Sequence, residues 1–160
     1  MGSIEIDWED PAELAARGRE MAGIDFLEAI RDGRLPTPPI GRLLGFALSE
    51  VSEGKAVFTA VPGEQHFNPI GVVHAGLAAT MLDSATGVAI HSTLPAGTGY
   101  TTLETKFNLV RAITLETGEI RAEGQVLHRG GRVATADGRV TRVSDGKLLA
   151  HGTSTCLILS

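Results

Sequence analysis

Asp83 is the residue in this chain whose type and surroundings most clearly suggest chemistry. From about His74 to about His91 the sequence is rich in Ala, with Leu, Met and Val and no Pro, which predicts one long helix. Asp83 is the only acid in this stretch, which contains no Lys or Arg. A carboxylate on an apolar helix is costly to bury unless it is hydrogen-bonded. Asp83 is therefore either exposed or satisfied by Thr80 or Thr86, or it is a base or nucleophile in a cleft.

The start of the same helix offers a second chemical group. The first N–H groups of a helix have no internal partner and lie at its positive end. Those near Ala75 and Gly76 could therefore polarise a carbonyl oxygen, as an oxyanion hole does. Gly76 would also let a ligand approach the backbone closely. The alternative is an ordinary junction between a loop and a helix, without chemistry.

Helix geometry separates these two groups. His74 and Asp83 are nine residues apart, which is about 13 Å along a helix at ~1.5 Å per residue. This is too far for both to act on one carbonyl group of a substrate. If both act, they must come from different subunits, and a two-fold dimer with antiparallel central helices would bring them together.

The residues around this helix resemble the signature of a known family. The run Asn68-Pro-Ile-Gly-Val-Val-His-Ala-Gly76, followed by Leu82-Asp-Ser-Ala85, is similar to the motif of hotdog-fold acyl-CoA thioesterases of the phenylacetate-pathway type. That motif has Asn or Gln, Gly three residues later, then His-Gly-Gly, and an acid nine residues after the His. Ala75 in place of the first Gly of the pair is a departure. The resemblance extends over roughly residues 40–159.

The resemblance implies a fold, an activity and an assembly. The fold would be α+β, a six-stranded antiparallel sheet wrapped around one long helix, with a hotdog domain at 40–160 and a helical extension at 1–39. The activity would be hydrolysis of an acyl-CoA substrate to a carboxylic acid and coenzyme A, without a cofactor. Asp83 would act as general base or nucleophile. The assembly would be a homodimer or a dimer of dimers.

Other residues at matching positions acquire candidate roles in the site. Asn68 would help to hold the thioester or the attacking water, unless it only forms a turn before Pro69. His74 would orient the loop and support the oxyanion site, or is a satisfied structural residue. The backbone amides of Ala75 and Gly76 would point at the carbonyl oxygen.

Substrate contacts are predicted at four further residues. Thr101 lies eighteen residues after Asp83, where some members of the family have a hydroxyl that steadies the acid or the water, although Thr102 is an equal neighbour. His66 either lines the mouth of the site or is exposed. Arg129 and Arg132 flank a Gly-Gly turn and would bind coenzyme A phosphates, unless they belong to an ordinary charged hairpin.

The pattern of the remaining chain predicts an antiparallel sheet with one buried helix. Alternation and turn residues indicate a hairpin over residues 42–61 and four strands after the long helix. In the first of these four, Thr101, Leu103, Thr105, Phe107 and Leu109 alternate with polar residues. Two short helices are predicted in residues 10–33 and an extended stretch over 35–40. This extension forms either a wall over an acyl pocket or a packing arm at a subunit contact.

Composition narrows the class of protein. A chain of 160 residues with a net charge of −5 and interspersed acids and bases is typical of one globular domain that does not bind nucleic acid. A single Cys and an acidic start predict a cytoplasmic location. No apolar run is long enough for a membrane span. The five His residues show no metal-ligand spacing.

Two rival functions remain open on the residues alone. A hotdog hydratase or dehydratase would use a His and an acid jointly, and the order of the motif fits it less well. A non-catalytic acyl-CoA-binding module would have no need of a buried acid, so Asp83 separates this alternative from an enzyme.

Overall fold

The computed structural model describes residues 1–159 of the chain. Within them, the α-helices are Pro11–Glu20 (α1), Gly23–Arg31 (α2), Pro39–Leu44 (α3) and Ala75–His91 (α4). The strands are Phe46–Ser52 (β1), Lys55–Ala60 (β2), Gly99–Leu109 (β3), Ile120–Arg129 (β4), Val133–Arg142 (β5) and Leu148–Leu159 (β6). The predicted pair of short helices, the long helix and the six strands are confirmed.

The six strands form one antiparallel sheet in the order β1-β2-β4-β5-β6-β3. Helix α4 connects β2 to β3. It packs on one face of the sheet, mainly against the middle strands β4 and β5. This is the α+β hotdog arrangement that the family resemblance implies. Within residues 1–159, β3 pairs only with β6, so one side of this 11-residue strand is a free edge.

Helix α4 packs directly on the sheet along a face of buried side chains. Its side chains Met81, Leu82, Ala85 and Ala89 are almost completely buried. Opposite them, Gly124 of β4 lies so close that a Cβ atom at this position would be 2.7 Å from the backbone nitrogen of Thr86 and closer still to the carbonyl of Ala85. The helix backbone therefore rests directly on the sheet.

The N-terminal extension shares its core with the sheet. Helix α2 packs mainly on β1 and also reaches α4. Its buried side chains join residues of α1 and of the following loop in one apolar cluster, which continues into Leu48, Val51 and Val88. The buried members of this cluster are Leu14, Phe26, Leu27, Ala29 and Leu35.

The start of the first predicted hairpin differs from the prediction. Leu44, which lies inside the hairpin predicted over residues 42–61, ends α3 instead, and the first strand begins at Phe46. Pro39 is the first residue of α3, a position where the missing N–H of proline costs nothing. Gly45 then ends this helix in the left-handed region at φ 65°.

A bulge in β3 overturns the predicted single face of this strand. The pairing with β6 shifts between Thr102 and Glu104, so Leu103 has no partner residue on β6. Its side chain is 60% exposed. An extra residue in a strand moves every later side chain to the opposite face. As a result, Thr101 is exposed whereas Thr105 points inward, although both share one face in a regular strand.

We expect Gly124→Ala to lower the free energy of unfolding by about 1–3 kcal/mol, since the added methyl group would overlap the backbone of α4. Thermal or denaturant unfolding measures this. Gly131→Ala is the matched control, because a Cβ atom there meets no atom within 4 Å. Equal stability of the two variants would contradict the direct contact between helix and sheet.

Candidate active site

Asp83 lies half-buried in the middle of α4, with one carboxylate oxygen held by the sheet. The hydroxyl of Thr105 on β3 donates a hydrogen bond of 3.1 Å to Oδ1. No donor among residues 1–159 reaches Oδ2. The carboxylate is therefore oriented through one oxygen, while the other remains available to a water molecule or a substrate.

The hydroxyl group that orients Asp83 is itself fixed by two strands. Ser154 Oγ on β6 lies 3.1 Å from Thr105 Oγ1 and donates a hydrogen bond of 3.0 Å to the carbonyl of Glu104. Both hydroxyls lie on paired strands rather than on a loop. This support limits the positions that the Asp83 side chain can adopt.

The carboxylate of Asp83 forms part of the wall of an apolar cavity of about 200 Å³. Phe46, Leu48 and Phe58 line it from β1 and β2, and Val88 from α4. The N-terminal extension supplies a further wall, from Leu27, Ile30, Thr37 and Pro38. The extension therefore packs on the sheet and also encloses the space beside the acid.

Two titratable side chains that interact with Asp83, Tyr100 and Cys156, lie in surroundings that favour their neutral forms. Burial raises the pKa of the Tyr100 phenol well above its usual range, and Cys156 and the Asp83 carboxylate add to the increase. Burial also raises the pKa of the Cys156 thiol, with a further contribution from Asp83, against hydrogen bonds from Thr102 and Ser154 that lower it. Within residues 1–159 no Lys or Arg forms an ion pair with Asp83.

Asn68 forms the turn before Pro69 that the sequence offered as the alternative to a functional role. Its side-chain amide nitrogen is nevertheless a free donor. Its Oδ1 accepts hydrogen bonds from the backbone N–H groups of Ile70 and Val72 at 3.1 and 3.3 Å. Because both partners are donors, this atom is the oxygen and the amide nitrogen is the other one. Among residues 1–159 no acceptor binds that nitrogen, so it can donate to a ligand.

His74 is the N-cap of α4, and this changes which amides are available. Its Nδ1 accepts a hydrogen bond of 2.8 Å from the N–H of Gly76. The predicted donor at Gly76 is thus occupied within the chain. The N–H of Ala75 has no acceptor among residues 1–159 and is the free donor at the positive end of the helix.

His66 anchors the loop before α4. It is 7% exposed, its Nδ1 accepts from the N–H of Gly63, and its Nε2 donates to the carbonyl of Leu44. Its own carbonyl accepts from the N–H of His74 at 2.7 Å. Both ring nitrogens are occupied, so His66 borders the hollow around His74 with no free nitrogen for a substrate.

Thr105, which sequence reasoning missed, supplies the hydroxyl that contacts Asp83. The hydroxyl beside Asp83 was expected at Thr101, with Thr102 as its neighbour. Thr102 instead lies 3.8 Å from the sulfur of Cys156, and Thr101 faces away from α4. The signal for Thr105 was its place in the same alternating series, but the bulge at Leu103 cannot be recognised in the sequence.

Arg129 and Arg132 flank the turn between β4 and β5, as predicted. Both side chains are exposed and neither forms an ion pair within residues 1–159. Neither lines the cavity beside Asp83 of its own chain. Their charges are available at the surface for a phosphorylated ligand.

The two halves of the candidate site lie in different hollows of one chain. Asp83 lines the apolar cavity, whereas His74 and Gly76 line a separate hollow with His66 and Thr80. Helix α4 is continuous between them. Within one chain, the free amide at the helix start and the carboxylate therefore cannot reach the same carbonyl group.

Known proteins resemble this chain in sequence and in fold. The family model of the Thioesterase superfamily matches residues 70–149. Acyl-coenzyme A thioesterase 13 of Homo sapiens is 30% identical over 116 residues, which cover 71% of this chain and 81% of the relative. The crystal structure of a phenylacetic acid degradation-related protein from Ralstonia eutropha JMP134 superposes with a TM-score of 0.73 at 28% identity, covering 82% of this chain and 98% of that one.

A vertebrate structure gives the same result. Zebrafish thioesterase superfamily member 2 superposes with a TM-score of 0.70 at 26% identity, covering 84% of this chain and 96% of that one. The chain belongs to the thioesterase superfamily and is a thioester hydrolase, so the resemblance seen in the motif is confirmed.

Residues 1–159 show neither a membrane-spanning helix nor a cluster of metal-ligand side chains. No helix in that range has the length and apolar character needed to cross a membrane. No group of three or more His, Cys, Asp or Glu side chains there is placed to hold a metal ion.

We expect Thr105→Val to reduce the rate of thioester hydrolysis by about 10- to 100-fold. This factor corresponds to the free energy that a hydrogen bond to a charged group contributes. Valine keeps the shape of the side chain and removes only the hydroxyl that orients Asp83. Thr101→Val is the control, since its side chain is exposed on the other face. A larger loss in Thr101→Val than in Thr105→Val would show that Thr101 supplies the working hydroxyl.

Proposed function

We propose that the protein is an acyl-CoA thioesterase in which Asp83 acts on the thioester carbonyl, either as general base for a water molecule or as nucleophile. The observation that carries this proposal is the half-buried carboxylate at the wall of an apolar cavity. Thr105 holds one of its oxygens and the other is open. The relation to acyl-coenzyme A thioesterase 13 supports coenzyme A as the carrier of the acyl group.

The cavity beside Asp83 receives the acyl group of the substrate. Its walls are mainly aliphatic and aromatic, so they desolvate a hydrocarbon group next to the carboxylate. The coenzyme A portion extends away from this cavity toward solvent. Arg129 and Arg132, with no ion-pair partner in the described chain, bind its phosphate groups.

The carbonyl oxygen accepts a hydrogen bond from the N–H of Ala75, which the structure leaves free. An amide at a helix start stabilises the negative charge that develops on this oxygen in the transition state. His74 keeps the helix start in shape through its bond to Gly76. The free amide nitrogen of Asn68 orients the water or the thioester from the adjacent loop.

These two groups belong to different subunits of a homodimer. Ala75 and Asp83 are eight residues apart on one unbroken helix, about 12 Å at ~1.5 Å per residue. A two-fold axis with antiparallel α4 helices places the amide of one subunit near the carboxylate of the other. The free edge of β3, with exposed Leu103, offers a surface for this pairing. A dimer of dimers would repeat the site without changing it.

We expect Asp83→Asn to abolish turnover while acyl-CoA binding is retained. Loss of a general base costs about 10²- to 10⁴-fold. The measurement is free-thiol release from a panel of acyl-CoAs, with binding measured separately by calorimetry. Unchanged turnover in the variant would remove Asp83 from the mechanism.

The control for Asp83→Asn is Asp137→Asn. Asp137 is also half-buried, but it lies on the outer face of β5, and its side chain makes no hydrogen bond or ion pair within residues 1–159. Equal losses in the two variants would indicate a general effect of removing a carboxylate. A wild-type protein that binds acyl-CoA without releasing thiol would instead be a binding module.

We expect Ala75→Pro to lower kcat by about 10²- to 10³-fold, the effect of losing one oxyanion donor. Proline removes the N–H and is well tolerated at the first position of a helix. The preceding His74 already has the extended backbone, ψ 136°, that proline requires before it. Steady-state kinetics and circular dichroism together separate loss of the donor from loss of the helix.

Two controls and a mixing experiment complete this test. Ala75→Gly and Ala75→Val keep the N–H while they remove or add bulk, and both should retain most of the activity. When Asp83→Asn and Ala75→Pro subunits are mixed at random, about half of the dimers contain one subunit of each kind. Each mixed dimer has one intact site out of two, so the mixture should recover about a quarter of the wild-type sites. No recovery on mixing would contradict a site that takes the amide from one subunit and the carboxylate from the other.

A further inference from the structure

Tyr100 separates the cavity beside Asp83 from a second hollow. This hollow has a volume of about 410 Å³, is more open to solvent, and is bordered by Ala15 and Arg19 of α1 and by His91. Of the described residues, Tyr100 alone lines both spaces. Tyr100 is therefore a partition between a smaller cavity and a larger, more open hollow.

The ring of Tyr100 is held across the last turns of α4. A Cβ atom at Gly87 would lie 3.0 Å from both Cε2 and the hydroxyl of Tyr100, so the missing side chain at position 87 makes room for the ring. On the side of the second hollow, the ring of His91 packs against it at 5.4 Å between centroids. The ring of Tyr100 is thus held in a defined position between α4 and the second hollow.

The distance from the acid to this partition is short. Gly87 is four residues after Asp83 on α4, about 6 Å at ~1.5 Å per residue. The cavity beside Asp83, of about 200 Å³, is only somewhat larger than a cavity of about 150 Å³ that binds benzene. A short aliphatic or single-ring acyl group fits in this space, and a longer chain extends beyond it, where Tyr100 borders the second hollow.

Given the acyl-CoA thioesterase activity proposed above, we infer that Tyr100 is a specificity-determining residue that ends the acyl-binding cavity and restricts the enzyme to short acyl groups. Beyond it, the hollow between α1, α2 and the end of α4 is an unused extension of the same path. Removing the ring joins the two spaces and allows longer acyl chains to bind with their carbonyl group still beside Asp83.

The test is the dependence of kcat/KM on acyl length, from acetyl-CoA to palmitoyl-CoA with phenylacetyl-CoA and benzoyl-CoA included. The wild type should prefer short acyl groups. In Tyr100→Ala the ratio of kcat/KM for long over short chains should rise by at least about 10-fold, the smaller end of what one methylene contributes to selectivity in a hydrophobic pocket. Tyr100→Leu serves the same purpose if the alanine variant does not fold.

Two control variants distinguish the partition from other causes. Tyr100→Phe keeps the ring and removes the hydroxyl, so it should keep the wild-type length profile. Ile30→Ala enlarges the cavity beside Asp83 on the α2 side without opening it to the second hollow. It should accept bulkier acyl groups but keep the limit on length.

The results separate a failure of the proposed thioesterase activity from a failure of the proposed role of Tyr100. If the wild type releases no thiol from any acyl-CoA, the proposed activity itself is wrong. If the wild type is active and Asp83→Asn is not, but Tyr100→Ala and Tyr100→Leu keep the wild-type profile, only the role of Tyr100 is overturned. A shift in Tyr100→Phe or Ile30→Ala equal to that in Tyr100→Ala would also overturn it.

Discussion

The direct contact between the backbone of α4 and the sheet is the constraint on which the rest of the structure depends. Gly124 allows it, since any side chain there would meet the carbonyl of Ala85. This approach brings the middle of α4 close enough to β3 for Thr105 to hold Asp83. It also buries the side of the helix that faces the sheet, which makes each polar group there costly unless it is paired or lines a cavity. The carboxylate satisfies both conditions.

A straight helix has a second consequence for the site. The free amide of Ala75 and the carboxylate of Asp83 are both on α4, and a helix cannot fold back to bring its start to its middle. Chemistry that uses both groups therefore needs a second copy of the helix. In this family member, the proposed chemistry and the proposed dimer therefore depend on each other.

The N-terminal extension and Tyr100 line the cavity beside Asp83 without a hydrogen bond to its carboxylate. Leu27 and Ile30 of α2 close one side of the cavity beside Asp83, and Tyr100 closes its end. The sheet and α4 supply the reactive geometry. Selectivity for the acyl group can then change through the extension or through one side chain, while the supported carboxylate stays as it is.

The sequence by itself determined the central helix, the six strands and the identity of Asp83 as the candidate acid, because helical and strand periodicities and the spacing of a motif are local properties of the chain. It also predicted His74 at the start of α4. Only the tertiary structure decided that Thr105 holds the acid and Thr101 does not, since one extra residue in β3 exchanges the faces of the strand. It likewise decided that the N–H of Gly76 is occupied. Such contacts depend on which distant residues meet, and no local pattern in the sequence records them.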